Sequence, residues 1–189
     1  MENYYIAFDT LIKERNDVLK YVVEHQTEIV SHIKTTICYE LYSSPADDLG
    51  ILTPSLIRDK ITNGYHKGRK LKKKPLNKGY ISYELDNTMK PLRIRMYNKG
   101  GHLDVAFYFV DYNDALFAIP CGGNKPFYLY PTDMHKIEYR KGQIWRYSTI
   151  TSNSLWQEVY DFEKENYVEC KNYYYVSNLI GSNKEVPLG

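Results

Sequence analysis

His25, Glu28 and His32 stand at i, i+3 and i+7, which places two imidazoles and a carboxylate on one stripe of a helix. Three such donors could hold a divalent cation if a second element supplied the rest of the shell. The same stripe serves equally as a solvated polar face with an i, i+4 contact between Glu28 and His32. His102 and Asp104 share a face of a strand, where they could form an acid–base pair or an exposed ion pair. Cys121-Gly122-Gly123-Asn124-Lys125 follows an apolar run, and its glycines would let backbone amides approach an anion or activate a thiolate. It lacks the spacing of a phosphate-binding loop and the helix that follows one, so it reads as a hairpin turn. Gly-x-Ser-x-Gly, His-Glu-x-x-His and paired-cysteine zinc patterns do not occur, and carboxylates such as Asp133 and Glu138 are scattered singly. These residues predict a protein without a catalytic constellation, a cofactor or a bound metal.

A second chemistry lies in charge. From residue 60 to residue 83 there are eight Lys or Arg and no acid, in a chain whose net charge is +2, so the remainder carries −6. Lys67, Arg69, Lys70, Lys72, Lys73 and Lys74 form the densest part, beside Tyr65, His66 and Tyr80. Clustered cations gain affinity for nucleic acid by releasing counterions, and the rings could stack on bases. The alternative is a solvated connection held open by its own repulsion.

The elements that must position these residues change character near residue 79. Before it, Leu11, Val18, Val22, Ile29, Ile33, Ile37 and Leu41 recur at helical spacing, capped by Asp9 or Thr10 and stopped by Ser43-Ser44-Pro45; a break near Asn16-Asp17 would give two helices instead of one long one. Thr53-Pro54 opens a short helix that Asn63-Gly64 closes. After it the period is two, with strands predicted over 79–86, 91–97, 103–112, 115–119, 127–130, 136–141, 143–151, 155–162 and 167–176. The turns between them leave no room for crossover helices, so neighbours pair antiparallel. In the third of these strands Leu103, Val105, Phe107 and Phe109 are expected on one face. The fold class predicted is α+β in a single domain 1–189. A helical part (1–64) and a basic loop (65–78) precede an antiparallel β-meander (79–176), either a twisted sheet or a partly closed barrel, and a C-terminal tail (177–189).

Tyrosine is the abnormal residue, with 20 copies, 14 of them from Tyr80 onward. A ring that is apolar on its face and wet at its hydroxyl suits half-buried strands, and it also suits protein-binding surfaces. Tyr173-Tyr174-Tyr175 must send rings to both faces, so some are expected to meet solvent or a partner. A strictly up-and-down meander gathers the turns near residues 87–90, 113–114, 131–135 and 152–153 at one end. Asp86, Asp111, Asp114 and Asp133, with Tyr112, then make an acidic rim that would attract a basic partner. Tyr173 and Tyr175 are the expected aromatic contacts.

The 189 residues, 43% hydrophobic and 25% charged, exclude a disordered or fibrous chain. The longest apolar run is six residues, too short to span a bilayer, and neither a basic-then-apolar leader nor a disulfide framework is visible. A cytoplasmic protein is expected, with Cys38, Cys121 and Cys170 as reduced, buried hydrophobes. Residues 90–97 (Lys-Pro-Leu-Arg-Ile-Arg-Met-Tyr), 141–147 (Lys-Gly-Gln-Ile-Trp-Arg-Tyr) and 172–175 (Asn-Tyr-Tyr-Tyr) follow a helical start. In this style the chain resembles bacterial immunity proteins of polymorphic-toxin and contact-dependent-inhibition systems. The resemblance implies a cytosolic single-domain binder that blocks a secreted toxin domain, often a basic nuclease, by occlusion without turnover.

Overall fold

A computed structural model of the chain describes residues 6–45, 49–55, 69–76, 78–122, 133–151, 154–161, 167–174 and 186–187. Two helices come first, α1 (Phe8–Glu24) and α2 (Gln26–Thr36). The stripe read from the sequence is the buried one, since Leu11, Val18, Val22 and Ile33 are enclosed. Asn16 and Asp17 lie within α1, and the break falls at His25, where φ is −110° and ψ is 17°. There the backbone N–H and the ring Nδ1–H of His25 both donate to the Tyr21 carbonyl, each at 2.9 Å. No side chain caps α1; its N-cap is Ala7, and Asp9 complements the helix dipole from the first turn.

The helix expected to continue to Leu41 ends at Thr36. Ile37 turns extended (ψ 122°) and Tyr39–Ser43 is strand β1. Ile37 and Leu41 satisfy a helical period, but β1 finds five cross-strand partners on β3 (Tyr80–Leu85), and the Cys38 N–H donates to the Leu85 carbonyl at 2.9 Å. That distant pairing overrides the local pattern. Cys38 is exposed and Cys121 buried, so of these two the second behaves as the small hydrophobe expected; the side chain of Cys170 lies outside the described set.

The remaining strands are β2 (Lys70–Leu71), β4 (Pro91–Tyr97), β5 (Leu103–Tyr112), β6 (Ala115–Gly122), β7 (Met134–Arg140), β8 (Gln143–Ile150), β9 (Ser154–Asp161), β10 (Tyr167–Tyr174) and β11 (Val186–Pro187). They form one antiparallel sheet in the order β11-β10-β9-β8-β7-β6-β5-β4-β3-β1-β2. Nine strands have five residues or more, and two-residue strands finish both edges, so the sheet is open. β2 lies inside the segment expected to be a basic loop, and β11 inside the expected tail. The strand expected at 127–130 lies outside the described residues, and β6 pairs directly with β7. Residues 53–55 are not helical, and the rest of that expected helix is outside the described residues.

Both faces of the sheet are covered, which explains why β3 and β6 are buried at every position. One face packs Leu92, Tyr108, Val110, Phe117 and Ile119 against Val18, Val22 and Ile33 of the helices. The other packs Ile81, Tyr83, Ile94, Phe107, Phe109, Ile137 and Tyr147 with Leu49, Ile51 and Leu52. Leu103 departs from its expected face: the register shifts opposite Tyr97, and Leu103 joins the helix side while Val105 stays opposite.

The segment 49–55 also bridges distant strands. Its Leu49 N–H donates to Tyr83 Oη on β3 at 3.0 Å, and its Ser55 Oγ donates to Glu158 on β9 at 2.5 Å. Six inter-strand steps separate β3 from β9. One core cluster nevertheless holds Ile81 and Tyr83 of β3, Tyr160 of β9 and Leu52 of this segment together.

Candidate functional site

Three hairpin tips meet at one end of the sheet. In the first, the Asp86 carboxylate accepts from the Thr88 N–H (2.8 Å), the Thr88 hydroxyl (2.7 Å) and the Lys90 N–H (2.9 Å). Burial works against its charge, but these hydrogen bonds and the nearby Lys90 charge hold the Asp86 carboxyl below the usual carboxylate range. The tight turn leaves Met89 at φ +70° with half its surface exposed. The second and third tips are two-residue turns with both central residues left-handed, Asn113 (+45°) with Asp114 (+59°) and Lys141 (+51°) with Gly142 (+77°). That geometry matches the twist of the flanking strands.

Between these tips runs a cleft of about 750 Å³, lined by Met89, Lys90, Asp111, Tyr112, Asp114 and Tyr139 among others. It continues, through the shared Lys90, Pro91 and Asp111, into a second cleft of about 350 Å³ under the helices, where Tyr21, His25, Glu28, His32 and Asp86 contribute. Four carboxylates thus face one ammonium. Lys90 Nζ meets both Asp111 oxygens at 2.6 Å, yet Asp111 remains largely exposed, so that pair is solvent-screened. Tyr112 packs edge-on against Phe117 and tilted against Tyr21, whose ring also stacks on His25 at 4.3 Å. Tyr139 stands 46% exposed at the lip; partial burial, then the Asp111 charge, pushes its phenol above the ordinary value.

Asp86, Asp111, Tyr112 and Asp114 therefore come together as expected, and Asp133 does not. Counting a strand at 127–130 between β6 and β7 reverses the parity of every later turn. With β6 paired directly to β7, Asp133 precedes Met134 at the opposite end of the sheet, and the Lys141-Gly142 tip takes its place at the rim. Tyr173 pairs through its backbone with Leu155 and Pro187, near the start of β9 and so also at the far end. Tyr175 lies outside the described residues. Lys90, Met89 and Tyr139 were not singled out in the sequence; their signal was only proximity to predicted turns.

The other candidates are divided. His25, Glu28 and His32 all line the smaller cleft, but among the described residues no group of three His, Cys, Asp or Glu is arranged to hold a metal ion. His32 Nδ1 shares a 3.4 Å contact with Thr36 Oγ1. Asp104 accepts from Asn98 Nδ2 at 2.9 Å, part of the turn before β5. Cys121 is buried, its thiol directed at the Ile119 carbonyl, and residues 123–125 of the glycine turn are outside the described set. Lys67 is outside it too, whereas Arg69, Lys70, Lys72, Lys73 and Lys74 are exposed at or beside the β2 edge.

Among the described residues, few tyrosines are free surface. Of the eleven with described side chains, Tyr80, Tyr83, Tyr108, Tyr147 and Tyr160 are buried, and only Tyr39 and Tyr139 are exposed. Buried polar groups join them. Tyr147 Oη lies 2.8 Å from His135 Nδ1, and Glu158 accepts from Trp156 Nε1 (2.7 Å) and Tyr160 Oη (2.5 Å). Lys136, in turn, meets both oxygens of Glu14 on α1. These bonds tie strands and helices together.

No protein-family model, curated protein or solved structure matches the chain. Among the described residues no helix is long and apolar enough to cross a membrane.

Proposed function

We propose that the protein is a non-catalytic binding module of the toxin-neutralising kind, acting in the cytosol, that occupies a basic partner protein through the rim cleft. The observation that supports this reading is the cleft's composition: among its lining residues Glu28, Asp86, Asp111 and Asp114 outnumber Lys90, beside the exposed apolar side chains of Met89 and Tyr139. Carboxylates in excess over cations accelerate encounter with a cationic surface, and an aromatic with a thioether supplies the contact area that holds it. A nuclease domain fits as occupant, because its own substrate is a polyanion and its active face is therefore basic.

The first partner to test is the product of the reading frame adjacent to this gene, purified as its C-terminal domain. The expected result is a one-to-one complex that abolishes its activity. Combining Asp111→Asn and Asp114→Asn should slow association and increase its salt sensitivity, while Met89→Ala with Tyr139→Ala should speed dissociation by about thirtyfold or more. Tight inhibition that none of these changes weakens would place the partner elsewhere on the molecule.

A further inference from the structure

A second surface lies at the other end of the strands. β2 is held to the sheet edge by Tyr42 opposite Leu71 and Ser43 opposite Lys70. Reciprocal hydrogen bonds lock its start: the Ser44 N–H donates to the Arg69 carbonyl and the Arg69 N–H to Ser44 Oγ, both at 3.1 Å. Lys70 is thus carried on the paired edge, with Lys72 and Lys73 directly after it. Among the described residues, Arg69, Lys70, Lys72, Lys73 and Lys78 form no ion pair, although other cations of the molecule do. Holding so many like charges together without counter-charges is unfavourable, and an anionic ligand relieves it.

Rings stand on the adjoining sheet face, beside Lys74 of the same run. Tyr80 and Tyr97 stack at 4.5 Å, Tyr42 meets Tyr80 edge-on, and Lys74 Nζ lies 5.5 Å and 5.9 Å from the Tyr80 and Tyr97 centroids. Tyr42 and Tyr97 remain partly exposed. Directly across the strands from each other, Ser82 and Arg95 each keep a buried polar atom, Oγ and Nε, without a hydrogen-bond partner. The nearby carboxylates are already engaged, Glu84 by Arg93 and Arg95, Glu40 by Arg95. The acidic rim lies at the opposite end of β3, a strand of six residues or about 20 Å. That exceeds the screening length of about 8 Å at physiological ionic strength, so the rim does not repel an anion bound here.

We infer that the β2 edge and the Tyr42–Tyr97 face bind single-stranded nucleic acid, with Lys70, Lys72 and Lys73 on phosphates and the partly exposed rings against bases. A single strand is favoured over a duplex because its bases are free to stack. This site shares no residue with the rim and stands independently of the binding-module reading.

The test is fluorescence anisotropy of labelled oligo-dT and oligo-U of about twenty nucleotides with the full chain, over a salt series. Each phosphate contact contributes about 0.7 to the log–log salt slope for a single strand. Replacing Lys70, Lys72 and Lys73 together by Ala should therefore lower the slope by about 2, so that a fourfold rise in salt weakens the parent roughly fifteen times more than the variant. Tyr97→Leu should weaken binding with the slope unchanged, and Asp111→Asn should leave both unaltered. All three lysines are exposed, and unchanged thermal unfolding confirms that the variant is folded. No binding, equal binding by the lysine variant, or equal competition by a duplex or by polyglutamate would overturn the inference. Salt-sensitive self-association lost in the same lysine variant, without oligonucleotide binding, would also overturn it and assign the edge to the rim of a second copy.

Discussion

Glu84 is nearly enclosed near the end of β3, and two guanidiniums converge on it. Arg93 donates through Nε at 2.6 Å and Nη2 at 3.0 Å, and Arg95 donates through Nη2. Burial lowers the affinity of Arg93 for its proton, but the Glu84 hydrogen bond and charge more than offset this and hold it above the usual arginine range. Removing the carboxylate leaves two partly buried cations facing each other. Glu84→Ala should cost about 3–5 kcal/mol in urea unfolding, and Glu84→Gln, which keeps acceptor and shape, should cost less. Half of this arrangement was legible: Arg93 and Arg95 stand two apart in a predicted strand and so share a face. Their counter-charge was not, because the pairing of residue 84 with 93 and the shift after it are set by the turn at 86–90 and the bulge between Glu84 and Leu85.

At the scale of the element, the meander follows its sequence period closely. The strands expected at 91–97 and 103–112 are β4 and β5 to the residue, and most others differ by one or two at an end. Their alternation is strong, and turn residues bound them. Two kinds of element escaped. β1 looked helical because Ile37 and Leu41 fit both periods, and β2 is too short to show any period. The rim turns carry their own cost, since Asn113 and Asp114 both occupy the left-handed region. Asp114→Gly removes a Cβ from that conformation and should raise stability by about 0.5–1 kcal/mol in thermal unfolding. It also deletes a rim carboxylate, so the same variant should bind a basic partner more weakly. A more stable protein with a weaker complex is the combined outcome expected.

For the whole molecule, the least regular segment is among the most consequential. Residues 49–55 form no helix or strand, yet Leu52 is buried at 4% exposure in the cluster that spans β3 to β9. Leu52→Ala should cost about 2–5 kcal/mol, the range of a core leucine, when exposed loops ordinarily cost a fraction of that. A value under about 1 kcal/mol would mean that the cluster joining β3 and β9 holds without this filler. Charge is distributed on the same scale, with the carboxylate cleft at one end of the strands and the unpaired lysines at the other. The even net charge of +2 conceals that separation.

The sequence alone determined the class, helices before an antiparallel meander, because amphipathic period and turn chemistry act within a few residues of the chain. It also located the excess of cations at 60–78, since composition needs no fold. Tertiary structure decided which faces and ends those residues share. Whether Asp133 joins Asp111 depends on the parity of strands between them, and whether a tyrosine is core or surface depends on what the sheet packs against. Both are contacts between residues far apart in the chain, and no local pattern encodes them.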